Sequence, residues 1–352
     1  MPQNDRIENG QNDMARAAFE KLDKLKAWMR EKGRVAIAFS GGVDSALLLK
    51  AACDALQGEK NPGSTDNAES NTESENCVGK GNSGNVSLAE DADAVRDKVL
   101  AITADSRVFP GRERTEAEEF CQSLGCRQII FRFEEMAVPG FADNPPDRCY
   151  ICKTALFTRM KEIAAENGMD VLAEGSNMDD LGDYRPGLRA IGELHIASPL
   201  RKAGLTKAEI RFLSKELGLP TWQKPSFACL ASRFVYGETI TEDKLAMVEQ
   251  GEQLLFSLGF HQFRVRIHGT LARIELLPEE MDRLLTPELR TEIAEKFRSF
   301  GFSYVTLDLQ GYRTGSMNEG LKSVKNTKIR KYQKIGAKYH QKSIYAGYDC
   351  FE

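Results

Sequence analysis

Apolar positions along the chain fall into two alternating rhythms. In residues 14–32 Phe19, Leu22, Leu25, Trp28 and Met29 recur at intervals of three and four, which predicts an amphipathic helix. Residues 34–39 (RVAIAF) are instead a short apolar run, a strand, and a second helix follows to about Leu56. The pattern then repeats. Strands are predicted at 98–103, 128–133 and 170–174, with a further one at 195–198, and helices at 114–124 and 153–166. Pro139, Pro145 and Pro146 exclude regular structure from the loop at 134–148. Thr206 and Glu209 have the spacing of a capping box opening a helix to Leu217, with Gly218 ending it. Strands alternating with helices at this spacing predict an α/β fold, a parallel sheet with helices on both faces. Such sheets bind ligands at the carboxyl ends of their strands.

After Pro225 the style changes. A helix is predicted at 241–258, alternating strands at 262–268 and 271–276, a helix at 287–300 and a strand at 304–309, which together make a small α+β domain. The expected organisation is a nucleotide-binding unit at 14–223, a linker at 224–240 carrying Cys229, a substrate and oligomerisation unit at 241–319 and a basic, flexible tail at 320–352. Residues 58–97 are polar, acidic and rich in Asn, Ser and Gly; such a stretch buries too little apolar area to order itself and reads as a disordered insertion.

Composition narrows the class. A net charge of −4 over 352 residues argues against a surface that generally coats nucleic acid. No apolar run approaches the roughly 18 residues a membrane helix needs. The polar N-terminus has no apolar core of a secretory signal, so the eight cysteines read as free thiols or ligands in a reducing cytoplasm rather than a disulfide framework.

The first candidate chemistry lies where the first strand ends. Ser40, Gly41, Gly42, Val43, Asp44 and Ser45 form a turn that opens the second helix. Two glycines allow a tight backbone and close approach of an anion. Backbone N–H groups at the helix N-terminus, helped by the macrodipole, suit a pyrophosphate. Ser40 and Ser45 add hydroxyls, and Asp44 can serve a Mg²⁺ that bridges phosphates. A Gly-Gly turn with a serine cap is common by itself; six matching positions between a strand and a helix are not. No Walker A lysine pattern is present, which excludes a P-loop kinase or GTPase. The turn resembles that of the PP-loop ATP pyrophosphatases (adenine nucleotide alpha hydrolase-like), which adenylate a carbonyl or amide-like oxygen and release pyrophosphate. That chemistry needs positioning and charge neutralisation. The four scattered histidines form no nucleophile triad or HExxH pattern, and read as surface or satisfied core residues.

A second candidate is a set of thiols. Cys149 and Cys152 stand at CxxC spacing at the start of a helix, a position that lowers a thiol pKa. Cys229 lies in the linker. A CxxC alone fits several chemistries; a thioredoxin-type redox pair would follow a first strand, unlike this one. Cys53, Cys121 and Cys126 read as core or flanking thiols.

Around these residues, the segments RCYICK (148–153), EGSNMDD (174–180), YRPGLRA (184–190) and PSFACLASRFVYGETIT (225–241) together resemble the LarE family. The resemblance spans residues 14–318 apart from the insertion. LarE proteins are ATP-dependent sulfur transferases of nickel-pincer nucleotide cofactor synthesis. The resemblance implies a substrate, pyridinium-3,5-biscarboxylic acid mononucleotide, whose ring carboxylate is adenylated and then attacked by sulfur. It assigns Asp44 and Cys229 to catalysis. In single-cysteine members the cysteine at the position of Cys229 surrenders its own sulfur and becomes dehydroalanine. Members with three cysteines hold a [4Fe–4S] cluster, and this chain has all three, Cys149, Cys152 and Cys229. Three thiolates leave one iron of such a cluster without a protein ligand. Zinc on the same cysteines is the rival. The resemblance also implies a homo-oligomer, a hexamer; the sulfur donor stays open.

In residues 262–268 Phe263, Val265 and Ile267 share one strand face, and Arg264, Arg266 and His268 the other. Charged strand faces are commonly solvated, and paired arginines also suit a phosphate. The LarE resemblance places Ser232, Arg233, Glu252, Arg264, Arg266 and Arg313 around the substrate and its phosphate. Three other functions fit the nucleotide turn: a tRNA thiolase, which wants a basic RNA-binding domain; a nucleotide-binding regulator without chemistry; and an ammonia-using synthetase, which needs no cysteine triad.

Overall fold

The computed structural model describes residues 2–56, 97–182, 186–225, 228–313 and 315–316, with side chains from residue 13 onward. The insertion at 58–97 (except Asp97), the tail at 320–352, Cys77, Cys350, Tyr184 and Arg185 lie outside the described residues. The first unit runs α1 (Pro2–Lys32), β1 (Val35–Ala38), α2 (Val43–Leu56), β2 (Val99–Asp105), α3 (Gly111–Leu124), β3 (Arg127–Arg132), α4 (Arg148–Glu166) and β4 (Val171–Ala173). It continues with α5 (Gly187–Glu193), α6 (Pro199–Lys202) and α7 (Lys207–Glu216).

The four strands form one sheet in the order β3-β2-β1-β4, and every pairing is parallel. Successive strand residues point to opposite faces. Val35, Ile37, Val99, Ala101 and Ala173 enter a core shared with Leu25 of α1, Leu47 of α2 and Ile210 of α7. Ala36, Leu100, Ile102 and Leu172 enter a second core with Phe157, Met160 and Ile163 of α4 and Ile191 of α5. A strand covered on both sides reads as a continuous apolar run, and RVAIAF has that form. The expected parallel sheet between two helical layers is therefore present. The capping box holds as well: Thr206 N–H donates to the Glu209 carboxylate at 2.9 Å, and the Thr206 hydroxyl accepts from the Glu209 N–H. A cap of this kind stabilises a helix by about 1 kcal/mol.

One local expectation fails. Residues 195–198 form a single bridge, Ala173 to Ala197, instead of a strand. His195 turns the chain through a left-handed φ of 55°, and Pro199, ready for the first position of a helix, starts α6. The helices α5 and α6 are too short for apolar periodicity to reveal.

The second unit comprises α8 (Glu242–Ser257), β5 (Phe263–His268), β6 (Leu271–Leu276), α9 (Pro278–Leu284), α10 (Pro287–Ser299) and β7 (Tyr304–Leu307). β5 and β6 pair antiparallel, β6 and β7 parallel. Phe263, Val265, Ile267, Ile274 and Leu276 pack on Leu245, Val248 and Leu255 of α8 and on Phe297 of α10. The same core takes in Val108 and Phe141 from the first unit and Leu230, Ala231 and Phe234 from the segment between. Cys152 and Cys229 pack against it. Among the described residues no helix is long and apolar enough to cross a membrane.

Candidate functional site

Strand order fixes where a ligand can enter. The chain builds outward from β1 to β2 and β3, then returns to place β4 on the other side of β1. The helices that follow β1 and β4 pack on opposite faces of the sheet, the kind of switch point at whose carboxyl edge α/β sheets bind ligands. The loop after β1 is the Ser40–Gly41–Gly42–Val43–Asp44–Ser45 turn, and the loop after β4 carries Glu174 to Asp180.

The two loops meet at Asp44. Asn177 donates from Nδ2 to Asp44 Oδ1 at 3.1 Å. A Cβ on Gly175 would stand 3.2 Å from Asp44 Cβ and from the Ser45 nitrogen, so a side chain there would push the loops apart by a few tenths of an ångström. Glu174, buried, fixes its own loop by accepting from the Ser176 N–H at 3.0 Å, the Ser176 hydroxyl at 2.7 Å and the Ser198 hydroxyl. Within the turn the Ser45 hydroxyl donates to the Gly42 carbonyl at 3.1 Å and lies 3.2 Å from Ser40 Oγ. Gly41 has φ +70°, a conformation that disfavours a side chain.

Two lysines at the turn were not legible in the sequence. Lys207, first residue of α7, reaches back with its ammonium to Asp44 Oδ2 at 2.5 Å, while its N–H donates to Asp179 Oδ2 at 2.7 Å. The capping box located the start of α7, and the sequence had no signal that this start faces Asp44. Lys224 donates to the Gly41 carbonyl at 3.1 Å.

The thiols gather on the other side of the linker. α4 opens at Arg148, earlier than the expected 153, so Cys149 and Cys152 occupy one face of its first turns. Cys149 is exposed, and Cys152 and Cys229 are half-buried. Cys229 precedes a 3₁₀ turn, Leu230–Arg233, which is anchored by the Leu230 N–H to the Val108 carbonyl at 2.8 Å. Arg148, missed by the sequence reading, is buried and donates from Nη1 to the Ala231 carbonyl at 2.8 Å and to Asn144 Oδ1. It thereby fastens the CxxC helix to the segment carrying Cys229.

The expected lowering of thiol pKa at a helix start is overturned at Cys152, whose thiol is pushed up by burial first and by the facing Cys229 next. Cys229 is pushed up to about 11 by burial, which Arg148 opposes and Cys149 reinforces. Burial outweighs the helix end at Cys152 because it penalises the charged thiolate. Glu135 belongs to the same pocket. Burial raises its carboxyl, which accepts from the Ser106 hydroxyl. Among the described residues no group of three or more His, Cys, Asp or Glu side chains closes around one metal-ion position. Cys53, Cys121 and Cys126 are buried in the first core, as expected.

The arginine strand is not a solvated face. Arg264 and Arg266 are 4% and 5% exposed. Arg266 forms a bidentate pair with Glu275 at 3.1 and 3.0 Å, and donates to the Ser232 carbonyl at 2.9 Å and the Ser316 hydroxyl at 2.8 Å. Arg233, fully buried, pairs with Glu252 at 2.6 and 2.9 Å. Glu252 also accepts the Val265 N–H at 3.0 Å. Burial opposes ionisation of Glu252, but the charge and hydrogen bonds of Arg233 hold its carboxyl below the usual range. Arg264 donates to the Phe263 carbonyl at 2.6 Å and lies over the Tyr312 ring at 5.1 Å. Burial, then the charge of Arg233, brings it down to about 10. Arg313 follows that ring, with Nη1 on the Gly311 carbonyl at 3.0 Å and 3.7 Å from Asp308 Oδ1.

The chain is 34% identical over 308 residues to the pyridinium-3,5-bisthiocarboxylic acid mononucleotide synthase of Lactiplantibacillus plantarum, a match covering 88% of this chain and 97% of that protein. The chain belongs to the LarE family. An uncharacterized protein of Synechocystis sp. is 38% identical over 301 residues, 86% of this chain and 98% of its own length. No family model matches the chain. An NH3-dependent NAD synthetase from Campylobacter jejuni superposes over 81% of this chain and 93% of that one at 14% identity, with a TM-score of 0.36, too loose to carry an argument. In this LarE-family chain the three groups of residues are joined by direct contacts: Lys224 to Gly41, Arg148 to Ala231, and Arg266 to Ser232.

Proposed function

We propose that the chain is an ATP-dependent sulfur transferase that converts a carboxylate of pyridinium-3,5-biscarboxylic acid mononucleotide into a thiocarboxylate, in nickel-pincer cofactor synthesis. In the first step a carboxylate oxygen attacks the α-phosphorus of ATP. The bond to the β-phosphate oxygen breaks and pyrophosphate leaves. In the second, a sulfur nucleophile attacks the acyl carbon, the bond to AMP breaks, and thiocarboxylate and AMP separate. The N–H groups at the start of α2 would take the charge that grows on pyrophosphate. Asp44 would hold Mg²⁺ across the phosphates.

The observation that carries the reading is that the linker bearing Cys229 is tied to the nucleotide turn by Lys224 and to the CxxC helix by Arg148. Adenylate and sulfur would therefore meet along one wall. Cys149, Cys152 and Cys229 would hold a [4Fe–4S] cluster, which supplies an iron site open to sulfide. An all-thiol donor set suits iron–sulfur chemistry.

Arg264 is assigned to the substrate's phosphate, with Arg313 and Ser232 alongside. The Arg233–Glu252 and Arg266–Glu275 pairs hold that wall in shape. Arg264→Ala is expected to weaken binding of the pyridinium nucleotide about 10–100-fold, the loss of a charged hydrogen bond, with ATP affinity within about twofold of wild type. Calorimetric titration with each ligand checks this; equal losses on both contradict the assignment.

A further inference from the structure

Lys224 has no part in the chemistry above, yet both ends of it are fixed. Arg211 of α7 donates to the carbonyls of Trp222 at 2.6 Å and of Lys224 itself at 2.8 Å, which pins the lysine's backbone. At the other end the ammonium, with its side chain 12% exposed, lies between three oxygens. These are the Gly41 carbonyl at 3.1 Å, Glu113 Oε2 at 2.7 Å and Glu116 Oε2 at 2.5 Å. The nucleotide turn is pressed against the same place, since a Cβ on Gly41 would stand 3.4 Å from the Glu113 carbonyl oxygen.

The carbonyl of Gly41 and the N–H of Gly42 belong to one peptide plane and point in opposite directions. Glycine on both sides removes most of the steric resistance to a flip of that plane. One orientation offers the turn's concave side an N–H. The other offers it a carbonyl, which repels a phosphate. An ammonium on the outer carbonyl favours the first orientation by a charge-assisted hydrogen bond.

We propose that Lys224 is a positioning residue of the ATP half-reaction: its ammonium holds the Gly41 peptide so that the Gly42 N–H faces the departing pyrophosphate. The proposal rests on the ATP-cleaving reading above. Lys224 acts through the peptide and contributes no atom to the reaction. It also begins the segment that leads to Cys229, so one contact orients the turn and sets the thiol-bearing segment against it.

The test measures pyrophosphate release by the full chain with ATP, Mg²⁺ and pyridinium-3,5-biscarboxylic acid mononucleotide. Lys224→Met is expected to lower kcat about 10–100-fold, the range of a lost charged hydrogen bond. KM for the pyridinium nucleotide and the thermal midpoint should stay near wild type. Lys224→Arg, which keeps a cation at the carbonyl, should recover most of the loss. Glu116→Gln removes an ion pair but leaves the carbonyl contact, and should stay within about twofold. If Lys224→Met does not fold, Lys224→Gln should give a loss in the same direction. Wild-type release by either neutral variant overturns the proposal. So does a loss in Glu116→Gln as large as that in Lys224→Met, which would make the lysine an ion-pair anchor only. A wild-type chain that binds both ligands but releases no pyrophosphate overturns the ATP-cleaving reading, and this proposal with it.

Discussion

Exchanging Cys229 for serine is expected to abolish thiocarboxylate formation, by at least about a thousandfold, the scale on which removal of a reacting group acts. Pyrophosphate release from ATP in the presence of the carboxylate substrate should persist, because the nucleotide turn and Asp44 are untouched. The substitution is gentle on the fold. The carbonyl of residue 229 still accepts from the Ser232 N–H at 2.8 Å, and the Leu230 N–H still reaches Val108. A hydroxyl replaces a half-buried thiol of similar size. Two readouts separate the steps: mass spectrometry of the nucleotide, and iron with acid-labile sulfide in anaerobically purified protein. The variant should lose iron relative to wild type, since two thiolates would then hold what three held. An active, iron-free wild type contradicts the cluster, and a variant that still makes thiocarboxylate contradicts the role of Cys229.

Removing Glu252 should have the largest effect on stability. Glu252→Ala leaves the Arg233 guanidinium, 0% exposed, without its bidentate partner, and also leaves the Val265 N–H without its acceptor. Breaking one side of a buried pair costs about 3–5 kcal/mol, and chemical denaturation measures it. Replacing both partners by apolar residues, Arg233→Met with Glu252→Leu, should recover most of the stability. A loss under about 1 kcal/mol in the single variant would show that the pair is dispensable. The same carboxylate sets an acid limit. Its folded pKa is depressed, so its contribution is fully present above the unfolded value of about 4.3. That contribution is lost as pH falls through the lower, folded value. Wild type should therefore weaken steeply below about pH 4.3, and Glu252→Ala should show a flatter profile.

What could be read from the sequence was local. The turn from Ser40 to Ser45 is contiguous, and its strand and helix neighbours announce themselves by apolar rhythm. The capping box at Thr206 fixed the start of α7 for the same reason. What could not be read depends on partners far along the chain. Lys207 meets Asp44 across 163 positions, Lys224 meets Gly41 across 183, and Arg148 meets Ala231 across 83. No short pattern encodes those meetings; strand order and the packing of the linker create them. The arginine strand was half legible. Alternation placed Arg264 and Arg266 on one face but could not say that Glu252 and Ser232 cover it. The thiols misled for a related reason. A helix start lowers a thiol's pKa when solvent is near, and the burial that reverses this at Cys152 is tertiary.

The most direct test of the central claim is the mass of the pyridinium nucleotide after incubation with the chain, ATP, Mg²⁺ and a sulfide source. The account predicts that a carboxylate oxygen is replaced by sulfur, with one AMP and one pyrophosphate formed for each sulfur installed. AMP and pyrophosphate formed with no sulfur in the nucleotide, or a nucleotide left unchanged with ATP intact, would contradict it.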